Sequence, residues 1–281
     1  MSRRFFASAS LAALLALPAC GELALNASAT DEWTRTYPLS DGGEVSIENA
    51  NGRVEVDAGD PGTVEVHAER IAKGSTDEAA KQLLPRITIN EDVRPDRVAI
   101  STAKMSGVMI GASFEVRYRV RAPKNAALKI GNTNGGIRVS GISGPIEAHG
   151  TNGAVNGRDL GGAVDASIVN GGVTVDMAAV GSQKIILNAT NGGVTLSVPD
   201  DAKSDVDASV VNGGIAVTGV KIEVVEQTRR HLQGRMNGGG GASIELKTIN
   251  GGVRIRSRAT GVPGATGGVD AGEAGKAGER R

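Results

Sequence analysis

The chain has 281 residues, 41 of them glycine and only six aromatic, with 31 basic side chains balancing 31 acidic ones. A formal charge of zero and so few stacking rings argue against a nucleic-acid binder. One cysteine excludes an internal disulfide, three scattered histidines argue against a metal site, and no cofactor is expected.

Arg3 and Arg4 precede an apolar run from Phe5 to Leu17, the pattern of a secretory signal peptide over residues 1–19. The run is shorter than the roughly 20 apolar residues of a membrane span. Leu17-Pro18-Ala19-Cys20 then resembles the lipobox of bacterial lipoproteins. That resemblance implies that Cys20 becomes the lipidated N-terminus, and residues 20–38 read as a linker from it. Cleavage after Ala27-Ser28-Ala29 is the competing reading and gives a soluble periplasmic or secreted product. Either way the chain is exported; with the lipid it sits on an envelope membrane, at the outer membrane or in the periplasm.

Residues 39–124 read as an N-terminal β unit followed by a cap. Asn51-Gly52 is flanked by alternating aliphatics, Val45 and Ile47 before it and Val54 and Val56 after it. After Gly59 the pattern lapses. Ser75-Thr76-Asp77-Glu78 has capping-box spacing and predicts a short helix through Leu84, stopped by Pro85. Strands are predicted at 86–91, 97–102 and 113–121.

From residue 125 to 258 the chain repeats. Asn-Gly recurs at Asn134, Asn152, Asn170, Asn191, Asn212 and Asn250. Six and four residues before each asparagine, and three and five after it, the side chain is aliphatic, Gly157 being the one break. The positions between are mostly polar, so both arms read as half-buried strands. Each unit is a strand, an Asn-Gly-Gly bend, a strand and a return loop. The four inward aliphatics of one unit cannot offset the entropy of ordering it, so units must stack and share a core. The predicted fold is all-β, a single-stacked β-solenoid of about 18–21-residue coils with a strand-rich cap containing one short helix. Stacking in register aligns the asparagines into an amide ladder, and the glycines allow positive φ at the bend. Residues 218–241 read as an insertion, because Asn237 lacks the aliphatic columns, and residues 259–281 as a disordered tail.

Phe114-Glu115-Val116-Arg117-Tyr118-Arg119-Val120 ahead of Pro123, then Leu128-Lys129-Ile130 and the serial Asn-Gly-Gly-Val/Ile units, resemble the bacterial putative-adhesin family, exported β-strand-repeat domains of unknown function. The resemblance spans about Leu39 to Arg256. It implies a surface-adhesion role, and it carries over no catalytic residues.

His67, His149 and His231 fall in different units, and no nucleophile elbow, phosphate loop or HExxH occurs. The outward column Lys129, Glu147, Asp165, Ile186, Asp207, Glu245 offers carboxylates for cations or polysaccharide cleavage, but reads better as a solvated face. Arg229, Arg230, His231 and Arg235 form a candidate basic contact patch. The reading is therefore a non-enzymatic envelope protein, an adhesin or scaffold. Its partners are the membrane, through the lipid, and an unidentified protein or envelope polymer. A polysaccharide-acting enzyme and a self-associating structural protein are the alternatives.

Overall fold

The computed structural model describes residues 27–103 and 111–258. The expected signal peptide over residues 1–19, Cys20 and the expected tail from 259 to 281 lie outside the described residues.

The chain enters the fold at β1 (Ala27–Pro38), where a linker was expected. This stretch has few aliphatics, so its strand character comes from its partner: all twelve residues pair antiparallel with a later strand, from Ala27↔Gly74 to Pro38↔Thr63. Next come β2 (Glu44–Asn51) and β3 (Val54–Gly59), either side of the first Asn-Gly bend, and β4 (Thr63–Gly74), the partner of β1. The helix α1 (Asp77–Leu83) is capped by Thr76, whose hydroxyl accepts from Ala79 N at 3.2 Å, rather than by Ser75. A 3₁₀ turn at Leu84–Arg86 buries Ile87 and delays β5 to Ile89–Arg94. Then follow β6 (Arg97–Thr102) and β7 (Ala112–Pro123).

The later units supply β8 (Ala127–Asn134) and β9 (Ile137–Ser140), β10 (Ile146–Asn152) and β11 (Val155–Leu160), β12 (Val164–Asn170) and β13 (Val173–Met177), and β14 (Lys184–Asn191) and β15 (Val194–Val198). The last part comprises β16 (Ser204–Asn212), β17 (Ile215–Thr218), β18 (Ile222–Gln227), β19 (His231–Met236), β20 (Ala242–Asn250) and β21 (Val253–Ser257).

These strands make two large, open, mostly parallel sheets. Sheet A runs β1-β4-β7-β3-β9-β11-β13-β15-β21-β17, and sheet B runs β18-β19-β16-β20-β14-β12-β10-β8-β2-β6-β5. Each Asn-Gly unit gives one strand to each sheet. The asparagines align in register, Asn51↔Asn134 and Asn152↔Asn170 among them. The aliphatic columns fill the space between the sheets, where Val45, Ile47, Val173, Ile185, Leu187 and Leu196 are fully buried.

Three features depart from a simple reading in chain order. First, β6 and β7 add one further strand to each sheet, β6 parallel to β2 and β7 parallel to β3, with no Asn-Gly in the sequence between them. Second, the final unit is not at the end. β20 lies between β14 and β16, and β21 between β15 and β17. The larger set Ile244, Leu246, Val253 and Ile255 is buried inside, while the smaller Val206 and Ala208 stand one layer further out. The chain regains the interior through Asn237-Gly238-Gly239-Gly240, all at positive φ, with the Asn237 amide held by the carbonyls of Asp200 and Ala202. Third, the insertion is a hairpin: β19 pairs antiparallel with β16, and β18 with β19.

Gly157, the gap in the aliphatic columns, is filled from its own strand. The chain shifts register after Gly157, with Asp159 at φ 55°. Leu160 is thereby buried, its Cδ1 only 2.6 Å from where a Gly157 Cβ would sit.

Candidate contact surface

The bend that repeats along the stack fixes what lies on either side of it. Asn134 donates through Nδ2 to Asn51 Oδ1 at 2.8 Å, Asn152 to Asn134 at 2.7 Å and Asn170 to Asn152 at 2.9 Å. Asn191 donates to Asn170 at 2.9 Å, Asn250 to Asn191 at 2.8 Å and Asn212 to Asn250 at 2.8 Å. Beneath these amides the main chain bonds in the opposite sense, Gly171 N donating to Asn191 O at 2.9 Å and Gly192 N to Asn250 O at 2.8 Å. The residues beside the bend are therefore held in straight rows.

One such row was missed in the sequence. The residue two before each asparagine also points inward, and in three units it is polar and buried: Asn49, Asn132 and Thr248. Asn132 Nδ2 donates to Gly52 O at 2.8 Å and Thr248 Oγ1 to Gly192 O at 2.7 Å, satisfying bend carbonyls. Asn49 accepts from Thr102 at 2.9 Å, and Thr102 lies 2.9 Å from the Tyr118 hydroxyl. Burial pushes the Tyr118 phenol up to about 12, against a smaller opposing effect of the Thr102 hydrogen bond.

The residue one before the asparagine points outward and is the second missed row. In the outer face of sheet B, Val169, Ile249 and Val211 are 43%, 46% and 52% exposed. With Ser167, Asn188 and Thr190 they line a groove of about 420 Å³. The signal was present in the sequence, since three of the units carry an aliphatic residue where others carry Thr133, Thr151 and Thr190.

The charged candidates group differently from their sequence spacing. Asp165 neighbours Glu147 and Ile186, whereas Asp207 neighbours Glu245 directly. Lys129 Nζ lies 3.7 Å from Glu147. The basic patch is divided and matched. Arg229 and Arg230 are exposed at the turn between β18 and β19. His231 lies 3.5 Å from the Asp207 carboxylate and 3.6 Å from Glu226, and Arg235 lies 3.8 Å from Asp205. Asp205, Asp207, Arg235, Glu245 and Lys247 line a mixed-sign groove of about 550 Å³. Lys247 hydrogen-bonds Glu245 and holds its carboxyl below the usual range. His67 bonds Thr34 and His149 bonds Ser167 on outer faces, so the three histidines are not brought together.

On sheet A, Glu55 faces Arg53, Arg119 and Arg138 at 3.5–3.6 Å. Asp176 sits 3.0 Å from Arg258, yet burial raises its carboxyl pKa. Among the described residues, no group of three histidine, cysteine or carboxylate side chains is arranged to hold a metal, and no helix is long and apolar enough to cross a membrane.

No protein-family model matches the chain, and no curated protein matches it. Among solved structures it is similar to a "putative cell adhesion protein" from Clostridium sporogenes, at 11% identity and TM-score 0.44, covering 82% of this chain and all of that one. It is also similar to a "putative adhesin" from Bacteroides fragilis, at 10% identity and TM-score 0.34, covering 81% of this chain and 97% of that one. A "putative lipid binding protein" from Parabacteroides distasonis gives 9% identity and TM-score 0.28, with 81% and 97% covered. With TM-scores below 0.5, none of them assigns a function to this chain.

Proposed function

We propose that the chain is a non-enzymatic, exported β-solenoid of the cell envelope that works as an adhesin-type interaction surface. The observation that supports this best is the row Val169, Thr190, Ile249 and Val211 on the outer face of sheet B, three of whose four residues are exposed aliphatics. Single exposed aliphatics are ordinary, but an aligned set beside a groove is a contact surface. The hydroxyl of Thr190 within the row and the polar Ser167 and Asn188 beside it suit a partner with mixed apolar and hydroxyl-bearing groups, such as an envelope polymer or an extended polypeptide. Rigidity comes from the ladder and the Asn-Gly-Gly bends, so little order has to be imposed on binding.

Lipidation at Cys20 agrees with where the fold begins. Ala27 is buried and pairs with Gly74, so cleavage after Ala29 would remove the first three residues of β1. Cleavage before Cys20 leaves that strand whole and a short tether to the membrane.

The test is attachment of producing cells to a surface coated with isolated envelope polymer, beside protease shaving of intact and lysed cells. Replacing Val169, Val211 and Ile249 together by serine should abolish attachment without moving the melting temperature. Attachment that survives the triple variant, or protection from protease until lysis, would sink the reading.

The enzymatic alternative has one favourable observation, the adjacency of Asp207 and Glu245 in the mixed-sign groove. Glu245, held ionised by Lys247, is poorly suited to donate a proton, which a glycosidase requires of one carboxyl. Polysaccharide cleavage lost in Asp207→Asn would favour the enzyme.

A further inference from the structure

The two ends of the stack are finished differently. At the end nearest the N-terminus both sheets continue past the first Asn-Gly unit, sheet A through β7, β4 and β1 and sheet B through β6 and β5, with α1 packed on β4. At the other end, among the described residues, sheet A stops at β17, while sheet B continues for two more strands, β19 and β18. The end is a step two strands deep.

The step leaves core positions open. Val217 occupies the column whose other members, among them Val56, Val175, Leu196 and Ile255, are fully buried, yet Val217 is 38% exposed. Across from it, Val224 pairs with the buried Gly234 and so faces the same interior. It is 51% exposed because, among the described residues, no strand of sheet A lies opposite.

We propose that this stepped end is a dimer interface, in which β17 of one copy pairs with β18 of a second copy of the chain. Each sheet A is short by two strands and each sheet B is long by two. A two-fold axis along the strand direction turns one copy's sheet B into line with the other's sheet A and closes both vacancies at once, an isologous contact. The strand directions agree with this operation. In the dimer we place β17 leading back against β16 after the Asn212-Gly213 bend, while β18 runs with β16 because both are antiparallel to β19. β17 and the partner's β18 therefore meet antiparallel. The register irregularity between Val224 and Glu226 limits the regular edge of β18 to its first residues, a length suited to the four residues of β17.

The charges are complementary as well. Arg254 and Arg256 stand on the outer face of β21, next to the small Ala216 and Thr218 of β17. The free edge strand β18 carries Glu223 and Glu226. Arg254 would then face Glu223 of the partner subunit across two strand spacings, about 10 Å, which the two side chains span over Ala216. The tail from 259 to 281 is a poorer occupant, since Val262 and Val269 are its only aliphatics larger than alanine. This proposal is independent of the adhesin reading.

Sedimentation equilibrium of the full chain in mild detergent, with Cys20→Ser to exclude covalent dimers, tests it. The chain should sediment as a dimer at micromolar concentration. Val217→Lys with Val224→Lys should make it monomeric at every concentration while keeping the strand signal of the folded chain, because both side chains are exposed in the single chain, and its melting temperature should no longer depend on concentration. Arg254→Glu should weaken the dimer about tenfold or more, and adding Glu223→Arg should restore it. A monomer up to about 100 µM, or a dimer indifferent to the lysine pair, would overturn the proposal. So would a full chain that is monomeric while a chain ending at Arg258 dimerises, since the tail would then be the cover.

Discussion

At Gly171 an added Cβ would come 1.4 Å from the Gly153 carbonyl oxygen, with φ at +144°, whereas at Gly172 the nearest atom would be 3.2 Å away. The two glycines of the bend therefore answer to different constraints, and Arg53 and Ala154 stand at the second position in other units. Gly171→Ala should cost about 3 kcal/mol or more, and Gly172→Ala about 1 kcal/mol or less, by chemical denaturation. Asn170→Ala removes two ladder bonds and should cost about 1–2 kcal/mol; an unchanged midpoint would show that the amides are ornamental. Tyr37 and Tyr118 are the only tyrosines, and burial raises both phenols above their ordinary value. A phenol raised on folding contributes stability that is complete below the unfolded pKa of about 10 and is lost as pH rises toward the folded value. Alkaline unfolding should therefore begin near pH 10, with tyrosinate absorbance appearing together with loss of strand signal. Tyr118→Phe should flatten part of that slope, a change of about 2–3 kcal/mol for two pH units.

Among the elements, α1 and the Gly157 strand are where side-chain chemistry decides the outcome. Thr76→Ala should loosen α1 by about 1 kcal/mol, and Ser75→Ala should leave it unchanged, read from the protection of the Ala79 and Ala80 amides. Leu160→Ala should cost about 2–5 kcal/mol, since Leu160 fills the space beside Gly157 as well as its own. The alternation of aliphatics around each asparagine was enough to predict strands on both sides of the bend. It was not enough for β1 or for the β6–β7 turn. β1 has few aliphatics and is recruited by β4, and β6–β7 reaches its register through Val98 and Ile100 beside Val45 and Ile47 without any Asn-Gly marker. The contact surface was half legible: the outward charges were visible, but their pairing depended on which strands became neighbours.

For the whole molecule, the order of layers is the property least accessible from the repeat, because every unit carries the same columns and any two could stack. What separates them is the size of the inward side chains and the hairpin β18–β19 that covers the outer side of β16. A chain ending at Gly241 lacks β20 and β21 and so loses the layer between β14–β15 and β16–β17, not an outer one. Hydrogen exchange should then show β16 and β19 unprotected together. Retained protection would mean that β16 can settle directly on β14.

The placement of that last layer also bears on time. A stack laid down in chain order could grow as each unit emerged from the ribosome, every new coil resting on a finished one. Here the layer that joins β14–β15 to β16–β17 is made after both of its neighbours. Until it arrives, the preceding coil and its hairpin have no permanent neighbour, so the stack cannot close in the order in which it is synthesised. For the exported chain proposed above, such lateness favours passage through a narrow channel before the fold can close.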